Sequence, residues 1–148
     1  MRVITGTARG RVLRTLEGED VRPTTDRVKE AVFSIIQFEI EGRRVLDLFA
    51  GSGQLGIEAL SRGAASATFV DMSKDSLSAV KYNLEHTKLG DNAKVVQTDA
   101  LSFLKLTKDR FDIVFLDPPY ASSLVVDSMK LLSDVVAAGG CAICETPV

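Results

Sequence analysis

The strongest constraint on the fold is a rhythm that begins near residue 44. Short apolar runs at Val45–Phe49, Ala67–Val70, Ala93–Gln97, Phe111–Leu116 and Cys141–Glu145 are the length of strands. Single stretches of helical character separate them: a helix through about Ser61, one carrying Leu77, Val80 and Leu84, a short one at Ala100–Lys105, and one over about Ser123–Val136. Consecutive strands joined by one helix each require right-handed crossovers, so the pattern predicts an α/β fold with a Rossmann-like, mostly parallel sheet. Gly63 stands where a helix C-terminal glycine belongs, Ser73 is placed to cap the next helix, and Gly139-Gly140 reads as a turn before the last strand. In such sheets ligands bind outside the carboxyl ends of the strands. Four of those ends carry a carboxylate: Asp47, Asp71, Asp99 and Asp117.

The chain of 148 residues is 45% apolar with a net charge of −2, enough apolar matter for a buried core and too little charge for a disordered chain. Two cysteines cannot staple it, no apolar run approaches the roughly 20 residues of a membrane helix, and MRVITGTARGR has no secretory h-region. We therefore expect one cytoplasmic domain over 1–148, without membrane or metal partners and monomeric. Its charge is unevenly spread. Residues 1–14 hold Arg2, Arg9, Arg11 and Arg14 and no acid, while the remainder is acidic. Val3–Thr5 and Arg11–Leu13 read as a small hairpin or ragged loop, so residues 1–22 form a basic arm suited to a polyanion and 23–148 the core. After Arg22-Pro23-Thr24-Thr25-Asp26-Arg27, apolar Val28, Ala31, Val32, Ile35 and Ile36 recur at helical spacing to about Phe38.

The first strand runs into Gly51-Ser52-Gly53-Gln54-Leu55-Gly56, a G-x-G-x-x-G match between strand and helix. Such a loop turns tightly and lets a ligand approach the backbone. Asp71 follows 20 residues after Gly51, at the end of the next strand, where a carboxylate accepts ribose hydroxyls. These two features suit a dinucleotide or another adenosine-bearing cofactor. Asp47 tilts the choice. An anion just upstream of the loop repels a pyrophosphate and favours a cationic cofactor such as S-adenosylmethionine, with its ammonium and sulfonium.

Asp117-Pro118-Pro119-Tyr120 ends the most apolar strand. Two prolines fix two φ angles and hold Asp117 extended. The Asp117 carboxylate and the Pro118 carbonyl then form two rigid acceptors for the two protons of an exocyclic NH₂, and Tyr120 offers a face on which a base stacks. Hydrogen bonds to both protons would localise the nitrogen lone pair toward an incoming methyl group. The amine must be unpaired or flipped to arrive there.

Asp47-Leu48-Phe49-Ala50-Gly51-Ser52-Gly53 together with Asp117-Pro118-Pro119-Tyr120 resembles the class I S-adenosylmethionine-dependent methyltransferases of amino groups. Arg22–Phe33 and the Gly-x-x-Arg-Gly-Arg pattern at Gly6–Arg11 narrow the resemblance to the RsmD family, along essentially the whole chain. That resemblance implies methyl transfer to guanine N2 in bacterial 16S ribosomal RNA, free or in the small ribosomal subunit. It implies that Asp47, Phe49, Gly51 and Gly53 line the methionine end of the cofactor and that Asp71 holds the ribose, although the family commonly shows Glu there. Met72 would lie beside the adenine, with Asp99 and Ala100 at its edge. Asp117 and Pro118 would bind the amine, with Pro119 and Tyr120 against the base. Arg9 and Arg11 would grip phosphates, and Arg22, Thr24, Thr25 and Arg27 would approach cofactor and RNA together. It also implies two antiparallel edge strands beyond the fifth.

Other acceptors for the same four-residue motif are adenine N6, cytosine N4 and protein glutamine. Rival readings are an NAD-binding oxidoreductase, which leaves residues 117–120 without a role, and an RNA-binding remnant without turnover. Cys141-Ala142-Ile143-Cys144 has C-x-x-C spacing but no second pair, and on a strand its side chains face opposite ways. His86 lies off the apolar stripe of its helix and reads as surface.

Overall fold

A computed structural model of the chain describes residues 1–16, 26–117 and 123–144. The elements are α1 (Asp26–Ile36), β1 (Arg44–Leu48), α2 (Gln54–Ser61), β2 (Ser66–Asp71), α3 (Lys74–Thr87), β3 (Ala93–Gln97), α4 (Ala100–Leu106), β4 (Phe111–Leu116), α5 (Ser123–Leu131) and β5 (Val136–Cys144). All pairings in the five-stranded sheet are parallel, in the order β3-β2-β1-β4-β5. The order reverses direction between β1 and β4. The crevice outside their carboxyl ends is thus the place where the fold itself opens a binding site.

Two apolar layers cover the sheet. Val45, Ala67, Phe69, Ile113 and Phe115 face one core with α1, α2 and α3; Leu46, Leu48, Val70, Val114 and Leu116 face the other with Ala100, Phe103 and Leu104 of α4. This is the period-two alternation of a sheet buried on both sides. Phe33 of α1 meets Phe115 of β4 with ring centroids 5.6 Å apart and planes tilted by 52°, a geometry worth about 0.5–1.5 kcal/mol beyond its burial. Cys141 packs into the first core and Cys144 against the second, so the two thiols lie on opposite faces of β5. Ser73 caps α3 by accepting from the Ser76 N–H at 3.2 Å, and His86 is exposed, stacked on Tyr82.

Four local details differ from the periodicity. The first strand stops at Leu48, because Phe49 takes a left-handed φ of 64°. α1 turns Lys29, Phe33 and Ile36 into the core and leaves Ile35 75% exposed, since the carboxylate of Glu58 makes it possible to bury a lysine there. α5 ends at Leu131 and a 3₁₀ turn, Leu132–Asp134, follows. Gly139 and Gly140 lie inside β5, where the register with β4 shifts between Phe111 and Ile113. Gly139 has φ 80°, and a Cβ on Gly140 would stand 2.7 Å from the Asp112 carbonyl oxygen, which is why this irregularity takes glycines.

The basic arm is docked rather than loose. A single antiparallel bridge, Arg2 to Val12, closes a minimal hairpin. Its backbone is held by side chains of the core helices. The N–H groups of Ile4 and Thr5 donate to the Glu58 carboxylate at 2.8 and 3.1 Å. The Ala8 N–H donates to Ser61 Oγ at 3.0 Å, and that hydroxyl donates to the Thr5 carbonyl at 2.7 Å. Gly6 (φ 96°) passes so close to α2 that a Cβ there would lie 1.8 Å from the Ser61 carbonyl oxygen. Arg2, Arg9, Arg11 and Arg14 remain exposed.

Candidate active site

The loop after β1 is built by backbone turns and pinned by a neighbouring strand. Phe49, Gly51 and Gly53 have φ of 64°, 58° and 85°. The Gly53 N–H donates to the Ala50 carbonyl at 2.8 Å and the Ala50 N–H to the Val70 carbonyl at 2.9 Å. Asp71, at the end of β2, accepts from the Gly51 N–H at 2.9 Å with one carboxylate oxygen and from the Ser73 N–H at 2.8 Å with the other. Asp71 therefore shapes the loop, and its remaining lone pairs are those available to a ligand.

Two glycines of the motif face inward. A Cβ on Gly53 would meet Val80, Phe69 and Ile57 at 3.1–3.4 Å, and one on Gly56 would lie 2.4 Å from the Phe69 ring. Their absence of a side chain brings α2 down onto β2. That close packing puts the Gly56 N–H 3.0 Å from Asp47 Oδ2.

Asp47 is buried, and burial pushes its carboxyl well above the ordinary value, against the Gly56 hydrogen bond and with the negative charges of Asp117 and Asp71 acting in the same direction as burial. The negative charges of Asp117 and Asp71 thus add to burial at Asp47, on the β1/β4 crevice. Such a site is matched to a ligand that brings positive charge. A pyrophosphate would meet the same field with the wrong sign.

Asp99 sits at the end of β3 and caps α4. Its carboxylate accepts from the Ser102 N–H at 3.0 Å, and the hydroxyl and N–H of Ser102 hold it below the ordinary carboxylate value. Ala100 is buried beside it, and Met72, after β2, is 70% exposed. The structure thus brings Asp47, Phe49, Gly51, Gly53, Asp71, Met72, Asp99, Ala100 and Asp117 to the carboxyl edge of the sheet. Arg27 is exposed at the start of α1, and Arg9 and Arg11 are exposed on the arm. Arg22, Thr24, Thr25, Pro118, Pro119 and Tyr120 lie outside the described residues.

The motif reading passed over the buried polar residues that join the arm to this site. Glu58 and Lys29 are fully buried, with Lys29 Nζ 3.2 Å from Glu58 Oε1 and Arg62 Nε 2.9 Å from Oε2. Burial alone would raise the Glu58 carboxyl; the Ile4 N–H, Arg62, Lys29 and the Thr5 N–H outweigh it and hold Glu58 below its usual range. Burial lowers the Lys29 ammonium from its ordinary value, only partly offset by Glu58. Asn83 of α3, also fully buried, holds the Arg14 backbone and the Ser52 carbonyl. The sequence signal was Glu58 set among Leu55, Ile57, Ala59 and Leu60; in the structure all eight residues of α2 are buried, and the arm covers the side with Glu58 and Ser61.

Among the described residues no three His, Cys, Asp or Glu side chains gather as a metal site, and no helix is long and apolar enough to cross a membrane. The sequence profile of the family described as conserved hypothetical protein 95 matches residues 1–148. Ribosomal RNA small subunit methyltransferase D of Escherichia coli is 43% identical over 134 residues, spanning 90% of this chain and 67% of its own. The Haemophilus influenzae protein of the same description is 42% identical over 137 residues, 90% of this chain and 71% of its own. The solved structure of the Escherichia coli yhhF protein superposes with a TM-score of 0.84 at 43% identity, covering 93% of this chain and 75% of that one. The parallel sheet with helices on both faces is that of the class I methyltransferases, and the chain belongs to the conserved hypothetical protein 95 family, the RsmD family whose motifs it carries.

Proposed function

We propose that this chain transfers a methyl group from S-adenosylmethionine to the exocyclic N2 amine of a guanine in 16S ribosomal RNA. The observation that carries the reading is Asp47, buried at the β1/β4 crevice with its carboxyl raised by that burial and further by the negative charges of Asp117 and Asp71. A cofactor with an ammonium and a sulfonium relieves this repulsion, and NAD, with its pyrophosphate, does not. The relatives described as ribosomal RNA small subunit methyltransferase D support the RNA substrate. The exposed arginines of the arm support a polyanion contact. The docking of residues 1–16 on α2 and α3 supports reading the arm and the core as one domain.

When bound, S-adenosylmethionine supplies a methyl group on a positively charged sulfur. Asp47 and the 49–53 loop would hold its methionine end, Asp71 its ribose hydroxyls, and Met72, Asp99 and Ala100 its adenine. Asp117 would accept an N–H of the target amine and, with the Pro118 carbonyl, aim the nitrogen; Tyr120 would stack on the base. Positioning of the two reactants and exclusion of water supply most of the rate. The nitrogen becomes acidic once alkylated, so its proton passes to an Asp117 oxygen or to water without a strong base. Incubation with labelled S-adenosylmethionine and undermethylated small subunits, followed by digestion of the RNA, tests this. Label on guanine N2 that drops at least about 100-fold in Asp117→Ala is expected, on the scale of losing one preorganised polar group. Normal transfer in that variant, or binding of NAD without S-adenosylmethionine in a calorimetric titration, would overturn the reading.

A further inference from the structure

Asn83 is a buried amide on α3 whose hydrogen-bonding groups join two segments, the arm and the loop after β1. Its Oδ1 accepts from the Arg14 N–H at 2.7 Å, and its Nδ2 donates to the Arg14 carbonyl at 2.9 Å. The amide thereby pairs both backbone groups of one arm residue, as a neighbouring strand would. The second Nδ2 proton goes to the Ser52 carbonyl at 3.0 Å, in the middle of Gly51-Ser52-Gly53. One rigid side chain therefore fixes the arm and the cofactor loop to each other. The adjacent residue strengthens the arrangement, since the Arg14 guanidinium lies 3.8 Å over the Tyr82 ring. Arg14 is held by α3 through both its backbone and its side chain.

We propose that Asn83 is a positioning residue that makes cofactor binding and RNA binding cooperative. The inference rests on the function proposed above. A cofactor that settles the 51–53 loop settles the Ser52 carbonyl, and through Asn83 the register of the arm whose exposed arginines face RNA. By linkage the reverse holds with the same factor. No other common side chain fills the position. Asp keeps the acceptor but sets a carboxylate against two carbonyls, and Leu keeps the volume but removes all three hydrogen bonds of the amide.

The test measures the affinity of undermethylated small subunits with and without saturating S-adenosylhomocysteine, in the full chain and its variants. The original protein is expected to bind subunits at least about five-fold more tightly with the cofactor product present. Asn83→Asp and Asn83→Leu are expected to reduce that ratio to about one. If these variants fail to fold, two changes on the arm side decide the matter. Arg14→Ala removes the guanidinium and keeps the backbone pair, so it lowers affinity equally with and without cofactor product and preserves the ratio. Arg14→Pro also removes the N–H that Asn83 accepts, so the ratio falls toward one. A ratio kept in Asn83→Leu or in Arg14→Pro, whatever the change in melting temperature, overturns the proposal, as does a ratio of one in the original protein. Failure of the original protein to bind S-adenosylhomocysteine at all marks instead the failure of the methyltransferase reading.

Discussion

Replacing Glu58 by Gln tests the reading of the buried charge group quantitatively. In the native fold Glu58 accepts from the Ile4 and Thr5 N–H groups and from Arg62, and neutralises Lys29. The amide keeps the shape but cannot neutralise, and it presents an NH₂ where an acceptor is needed. Lys29 would then be left fully buried with its charge unneutralised, donating to the Arg2 carbonyl 3.0 Å from Nζ. Removing one partner of a buried pair costs about 3–5 kcal/mol. For a chain of this size each kcal/mol moves the melting temperature by about 2–4 °C, so a fall of about 6–20 °C is expected. Lys29→Met should cost less, because Glu58 would still be satisfied by Arg62 and two backbone N–H groups. The double variant Lys29→Met/Glu58→Gln should recover about 1–3 kcal/mol relative to additivity. The pH dependence follows in sign. Glu58 releases its proton at lower pH in the folded chain than in the unfolded one, so its contribution is complete above the ordinary carboxylate value and is lost as pH falls through the folded value. Calorimetric melts and urea titrations from neutral pH down through and below the ordinary carboxylate value measure both effects. A Glu58→Gln protein that melts within about 2 °C of the original, or a Lys29→Met protein less stable than Glu58→Gln, would refute the reasoning.

Gly56→Ala drives a Cβ to 2.4 Å from the Phe69 ring and is expected to cost about 1–3 kcal/mol, partly recovered in Gly56→Ala/Phe69→Leu; thermal melts decide. Arg9→Ala and Arg11→Ala remove exposed side chains, so stability should stay within about 0.5 kcal/mol, while the slope of log affinity for RNA against log salt should fall by about one per lost phosphate contact. Asp47 carries a carboxyl raised in the folded state, so its effect on stability has the opposite sign to that of Glu58. It disfavours the empty fold increasingly as pH rises through the window above the ordinary carboxylate value. Over that window the affinity for S-adenosylmethionine should rise with pH in the original protein and stay flat and weak in Asp47→Asn, as read by isothermal titration.

What the sequence made legible was whatever local chemistry decides. β3 and β4 fall where their apolar runs predicted, and the cap at Ser73 is set by a side chain three residues from its partner. The acidic strand ends were legible because a strand end is a local property. What escaped was set at long range. The burial of Lys29 depends on Glu58, 29 positions later, and the arm depends on Glu58, Ser61 and Asn83, between 53 and 69 positions away. No periodicity reports such pairs: of the expected stripe, Ile36 is buried and Val32 packs on the core, while Ile35 is left exposed and Lys29 takes a core position. The glycines at 53 and 56 were visible as a ligand motif, yet their packing against Phe69 shows only when β2 is in place.

The docking of the arm divides two tasks between different kinds of atoms. Polar adhesion to the core uses main-chain N–H and C=O groups of residues 2–14, read by Lys29, Glu58, Ser61 and Asn83 of α1, α2 and α3. The guanidinium groups of the arm contribute to that adhesion through the stacking of Arg14 on Tyr82, while Arg9 and Arg11 point to solvent. Residues 9 and 11 are thus free to change identity without loosening the ribbon that carries them, whereas position 6 admits nothing larger than glycine. A contact surface built this way can be rewritten for a different stretch of RNA while its mounting stays the same.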